Sequence, residues 1–106
     1  EPGQGLWSFP SGYVDRWEPV ETATIREAKE ETGLEVSLTG LLGVYSRKDS
    51  PVILLVYTGT ITGGDLNAGL DAEEVGLFNP NDLPDLAFSQ DRQIIEQWES
   101  SRQEPA

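Results

Sequence analysis

Glu27, Glu30 and Glu31 fall within one short stretch, GYVDRWEPVETATIREAKEETGL, from Gly12 to Leu34. At 100° per residue a helix carries these three side chains within an arc of roughly 100°. Like charges three and four residues apart weaken a helix by about a few tenths of a kcal/mol per pair. Such a face is either simply solvated or built to meet a cation. Carboxylate oxygens suit hard divalent ions such as Mg2+ or Mn2+, which keep waters and substrate phosphates in their shell. Arg26 can pair with Glu30 at i,i+4 and adjoins Glu27, so it can orient either carboxylate. Spacing alone leaves both readings of the acidic face open.

Composition narrows the chemistry. The chain has 106 residues, enough for one core, and carries a formal charge of -12 with no His and no Cys. Disulfides, thiolate ligands, a nucleophilic Cys, imidazole ligands and a Ser-His-Asp triad are therefore excluded within it. Acid-base or metal chemistry must run on carboxylates. A polyanion of this kind argues against nucleic acid and anionic membranes as partners, and an anionic substrate would need cations to help it bind. No apolar run is long enough for a membrane-spanning helix, and a reducing cytoplasm fits the composition.

The elements that must position the acids follow from local pattern. LWSFPSGYV, with aromatic and β-branched residues around a Pro-Ser-Gly turn, reads as two short strands with a break. A helix follows, with Pro19 in its first turn, Glu21 near its positive end and Gly33 as its stop. LEVSLTGLLGVYSR and PVILLVYTGTIT read as strands around KDS, the second as a buried central strand. EEVGLF reads as a short strand and NPNDLPDL as a turn-rich link. SQDRQIIEQWES reads as a closing helix with Ser89 as its N-cap and Ile94, Ile95 and Trp98 buried. The expected fold class is α/β or α+β, with helices packed on a sheet, in one domain over residues 1–106 whose tail, 99–106, frays.

The order Gly12, five residues, Glu18, seven residues, then Arg26-Glu27-Ala28-Lys29-Glu30-Glu31-Thr32-Gly33-Leu34 is similar to the Nudix box, with every fixed Gly, Glu and Arg position filled. GLWSFPSGYVD resembles the strand and turn that lead into that box, and EEVGLFNPNDLP with LAFSQDRQIIEQW resembles the family's last strand, loop and helix. The resemblance implies an α/β/α sandwich with a mixed sheet, and metal-dependent cleavage of a phosphoanhydride in a nucleoside diphosphate linked to another group. It implies Glu27 and Glu31 as first-choice metal ligands for one or more Mg2+ or Mn2+ ions, Glu30 as a further ligand or water-mediated contact, and the backbone carbonyl of Ser11 completing part of the shell. Arg26 would orient the glutamates, supported by Glu18, for which a purely structural role is the alternative. Gly12 and Gly33 would serve the backbone. Glu74, with Glu73 as its alternative, would be a further ligand or the base that activates water; an ordinary exposed acid is the plain reading. Leu77 stands where many relatives have Trp.

The resemblance implies a small nucleotide as partner, with ADP-ribose or a related sugar or dinucleotide as first guess. Modified (d)NTPs and diadenosine polyphosphates are the other substrates considered, and a non-catalytic nucleotide-sensing module is the other class. Family members acting on ADP-ribose often carry a proline some way after the box, and Pro51 lies seventeen residues beyond Leu34; a turn explains it equally. Trp7, Phe9 and Phe88 could stack on a base, and Arg47 and Lys48 could meet phosphate, although aromatics of small domains usually belong to the core. Sheet strands that precede the GLW segment in this family are missing from the sequence as it stands, and a homodimer is the family's habit.

Overall fold

The computed structural model describes residues 7–69, 74–79 and 81–103. Its elements run α1 (Val20–Thr32), β1 (Leu34–Ser46), β2 (Ile53–Gly64) and α2 (Ser89–Gln103). The chain divides into two compact units, one of Pro10–Val75 and one of Glu1–Phe9 with Gly76–Ala106.

In the first unit, Pro19 holds an extended backbone immediately before α1 and contributes its carbonyl to the Ala23 N–H at 3.0 Å. The sequence places Pro19 inside the first turn; it stands one position earlier, where its lack of an N–H costs nothing. Ala23 is the buried residue of α1. Thr24 and Thr32 turn their hydroxyls back to the carbonyls of Val20 and Ala28, at 2.8 and 2.6 Å, which keeps two mid-helix polar groups paired. Gly33 ends the helix in a left-handed conformation, φ 79°, and donates its N–H to the Lys29 carbonyl at 2.9 Å. Leu34, buried, begins β1 at once.

β1 and β2 pair antiparallel, from Leu34 opposite Gly64 to Ser46 opposite Ile53, with three register shifts along the ladder. The link is a turn in which Ser50 N–H donates to the Arg47 carbonyl at 3.2 Å, as the KDS break predicts. The expectation of a buried central strand is corrected. Among the described residues β2 pairs with β1 alone, and Ile53 is 66% exposed with Leu55 and Ile61 also open. An apolar run records that a strand is suited to burial, whereas the neighbours that would bury it are set by other parts of a fold.

In the second unit, Trp7 forms a parallel bridge to Leu86, its N–H donating to the Asp85 carbonyl at 2.9 Å and its carbonyl accepting from Ala87 N–H at 2.8 Å. That bridge is what remains of the first expected strand pair; residues 8–15 form no strand. Residues 74–78 of the expected EEVGLF strand form none either, and Glu73 lies outside the described residues. α2 begins at Ser89, so the flanking position falls on Phe88, whose carbonyl accepts the Asp91 N–H at 3.0 Å, and not on Ser89. Ile94 and Ile95 are buried and Trp98 half-buried, as the helical spacing predicts. The helix continues through Glu99–Gln103, which the sequence reads as tail. There the Arg102 guanidinium lies 4.5 Å over the Trp98 ring, a contact that favours helix at that end. Among the described residues no helix is long and apolar enough to cross a membrane.

Gly33→Ala forces a side chain into a left-handed backbone and drives its Cβ into the Asp65 carbonyl oxygen. The substitution is expected to cost more than about 1 kcal/mol, read as a lower urea midpoint at unchanged m-value. An unaltered midpoint would show that the helix does not need this stop.

Candidate active site

The loop before α1 and the helix are joined through one side chain. Arg26 Nε donates to Glu18 Oε2 at 2.8 Å and its Nη2 to Glu18 Oε1 at 3.0 Å, a bidentate pair. Nη2 also reaches the Tyr13 carbonyl at 3.2 Å, while Nη1 donates to Glu27 Oε1 at 2.6 Å and to both oxygens of Glu30 at 3.2 and 3.3 Å. Glu18 is largely covered, its side chain 13% exposed. Its Oε1 also accepts the Asp15 N–H at 3.0 Å, and its own N–H donates to the Asp15 carbonyl, so it closes the loop turn as well as holding the arginine. Within that turn Trp17 takes a left-handed backbone, φ 69°, and the residue is 93% exposed.

These contacts set the charges. Hydrogen bonds from Arg26 and from the Asp15 N–H hold the Glu18 carboxyl below its usual range. The same bond to Glu18, with those to Glu27 and Glu30, raises the Arg26 pKa, so it stays protonated. Glu31 goes the other way. Burial pushes its carboxyl up to about 7, helped by the neighbouring Glu27 carboxyl and the charges of Glu27 and Glu30, and opposed by the Ser11 N–H, which donates to Oε1 at 3.1 Å. Its other oxygen, Oε2, is buried without a hydrogen-bond partner.

The structure thus brings together Ser11, Gly12, Glu18, Arg26, Glu27, Glu30 and Glu31. Gly12 packs so close to Glu27 that a Cβ would collide with its carboxylate. Ser11 reaches the cluster through its N–H, a contact that differs from the carbonyl role the resemblance implies. Among the described residues no three acidic side chains stand close enough to form an ion-binding group as they are, and Arg26 Nη1 bridges Glu27 and Glu30. Sequence reasoning missed the Tyr13 carbonyl and the Asp15 N–H; backbone groups leave no mark on residue type.

Glu74 is exposed and makes none of the described hydrogen bonds. Arg47 and Lys48 are exposed at the hairpin tip. β1 runs between them and the helix end, roughly 40 Å of strand at ~3.3 Å per residue. Trp7 is half-buried and edge-on to Phe78, ring centres 4.9 Å apart, a packing role. Phe9 and Phe88 are exposed. Phe88 lines an open depression with Asp85, Leu86 and Arg92, and Arg92 is a residue the sequence reading did not single out.

Comparison with known proteins shows the family and the fold. The family model for the NUDIX domain matches residues 1–98. The chain is 44% identical over 97 residues to an ADP-ribose pyrophosphatase of Methanocaldococcus jannaschii, covering 88% of this chain and 57% of that protein. It is 38% identical over 80 residues to a putative 8-oxo-dGTP diphosphatase of Bacillus subtilis, covering 74% and 54%. The chain thus spans just over half the length of these relatives. Among solved structures, a NUDIX hydrolase from Nitrosomonas europaea superposes with a TM-score of 0.88 at 25% identity, over 100% of this chain and 62% of that one. An ADP-ribose pyrophosphatase from Streptococcus suis superposes at 0.75 and 30% identity, over 99% and 81%. A mixed α+β fold, a filled Gly-Glu-Arg-Glu pattern folded around one arginine and a family match over most of its length place this chain in the Nudix hydrolase family.

Proposed function

We propose that this domain catalyses metal-dependent hydrolysis of a phosphoanhydride in a nucleoside diphosphate linked to a second group, with ADP-ribose or a related sugar nucleotide as substrate. The observation that carries the reading is the buried, unpaired Oε2 of Glu31, set beside Glu27 in a cluster fastened by Arg26. A carboxylate oxygen buried without a donor calls for a cation or a proton. The donors at hand are all oxygens, which fits a hard divalent ion.

Glu27 and Glu31, with Glu30 as a further ligand or water-mediated contact and the Ser11 carbonyl, would hold Mg2+ or Mn2+. When bound, the metal neutralises phosphate oxygens and makes water a better nucleophile. The chain's own residues do the rest. Glu18 locks the arginine, Arg26 sets the orientation of Glu27 and Glu30, and Gly12 keeps the loop backbone against Glu27. Glu74 takes the proton of the attacking water; a P–O bond forms to that oxygen and the bridging P–O bond breaks, which releases nucleoside monophosphate and the phosphorylated second group. The name of the M. jannaschii relative supports ADP-ribose, and that of the B. subtilis relative supports an oxidised nucleotide as the second reading. A nucleotide-sensing module without turnover is the alternative class, and the filled set of box glutamates weighs against it.

The test is release of nucleoside monophosphate from ADP-ribose, NADH, diadenosine polyphosphates, and oxidised and normal dNTPs, with Mg2+ or Mn2+. Turnover of ADP-ribose is expected to fall by orders of magnitude in Glu31→Gln, and by about 10- to 100-fold in Glu18→Gln, which touches the glutamates only through Arg26. Metal and nucleotide binding with no turnover of any compound would overturn the hydrolase reading in favour of the sensor.

A second expectation concerns pH. Folded Glu31 keeps its proton to about pH 7, against an ordinary value of 4.5, so between these limits the folded state binds more protons than the unfolded. Stability of the metal-free protein should therefore fall as pH rises through that window. Glu31→Gln should flatten that part of the slope and added Mg2+ should reverse it, both read from thermal midpoints. A slope equal in wild type and variant would show that this carboxyl is not the cause.

A further inference from the structure

In the second unit, Asp85, Leu86, Phe88 and Arg92 line an open depression of about 470 Å3. Contacts within that unit hold its walls. The Trp7 backbone bonds the Asp85 carbonyl and the Ala87 N–H, which fixes the chain on either side of Leu86. Phe88 immediately precedes α2 and Arg92 lies four residues on, so the first turn of the helix carries both on one side. The helix itself is anchored by Ile94 and Ile95, both buried.

The lining offers three kinds of group to a ligand. Phe88 is 57% exposed, which leaves its ring available for stacking. Arg92 is a cation and Asp85 an acceptor on the same depression, and among the described residues neither enters an ion pair. Asp91, in the turn that carries Phe88 and Arg92, is 6% exposed and its Oδ2 is buried without a partner. The carboxylates here are therefore short of donors. An inorganic anion would answer Arg92 and leave the rest unmet. A nucleoside monophosphate answers all three, with a planar base for the ring, a phosphate for the guanidinium, and hydroxyl and amino donors for a carboxylate. The volume lies within the roughly 300–1,000 Å3 of small-molecule sites. We propose that this depression binds the nucleoside monophosphate portion of a nucleotide, with its base on Phe88, its phosphate on Arg92 and a sugar or base donor on Asp85. The inference goes beyond the hydrolase reading, because binding here needs neither metal nor turnover.

The experiment is titration of the whole chain with adenosine monophosphate, adenosine and inorganic phosphate in EDTA, read by calorimetry and by amide chemical shifts. Adenosine monophosphate is expected to bind and to shift the amides of residues 85–92, and phosphate at the same concentration is expected to do neither. Arg92→Gln should weaken the monophosphate by about tenfold and adenosine by less than about twofold. Phe88→Ala should weaken both by about tenfold. Where that variant fails to fold, Phe88→Leu, which keeps bulk and loses the ring face, takes its place with the same expected sign. No binding of the monophosphate, binding that these variants leave unchanged, or phosphate that binds as tightly as the monophosphate, an adventitious ion only, overturns the proposal. With the metal removed the readout is independent of turnover, so the hydrolase reading and this site fail separately.

Discussion

The guanidinium of Arg26 is the constraint on which the rest of the site depends. Its planar fork of donors satisfies Glu18, Glu27, Glu30 and the Tyr13 carbonyl at once, which a lysine ammonium could not do with fixed directions. Because Glu18 and Tyr13 belong to the loop and Glu27 and Glu30 to α1, a single side chain fixes the loop to the helix. Ser11 and Gly12 are thereby delivered to Glu31 and Glu27. The positive charge also allows two glutamates to stand one turn apart in a chain of net charge -12.

The same geometry divides the acids by environment. Glu18 and Glu31 are both covered, yet their protons are held in opposite senses. Glu18 faces the arginine and a backbone N–H, whereas Glu31 faces one N–H and other carboxylates. Desolvation without enough donors is unfavourable for a folded protein and useful to a cation site, because the charge that the protein cannot satisfy becomes binding energy for an ion. Under the proposed hydrolase reading, folding stability and function therefore pull in opposite directions at Glu31. Trp17 shows a similar tension on the backbone: a bulky residue in a left-handed turn is strained by about 1–3 kcal/mol, and its turn is held by the contacts of the adjacent Glu18.

What residue types and spacing determined was local. The 3.6-residue period put three glutamates on one face, Gly33 stopped the helix, KDS broke two strands, and Ile94 and Ile95 marked the buried side of α2, because each of these is settled within a turn or two of chain. The pattern Gly12–Leu34 likewise carried the family. Only the tertiary structure decided which acids meet which partners. It showed that Glu18 grips Arg26, that Glu31 is the desolvated member of its trio, that Arg47 and Lys48 sit at the far tip of a hairpin, and that Asn67 and Gly69 close the end of α1 through their N–H groups. These contacts join residues distant in sequence, several of them through peptide groups that every residue possesses. The exposure of β2 was illegible for a related reason: hydrophobicity states a preference for burial, and long-range packing determines whether it is met.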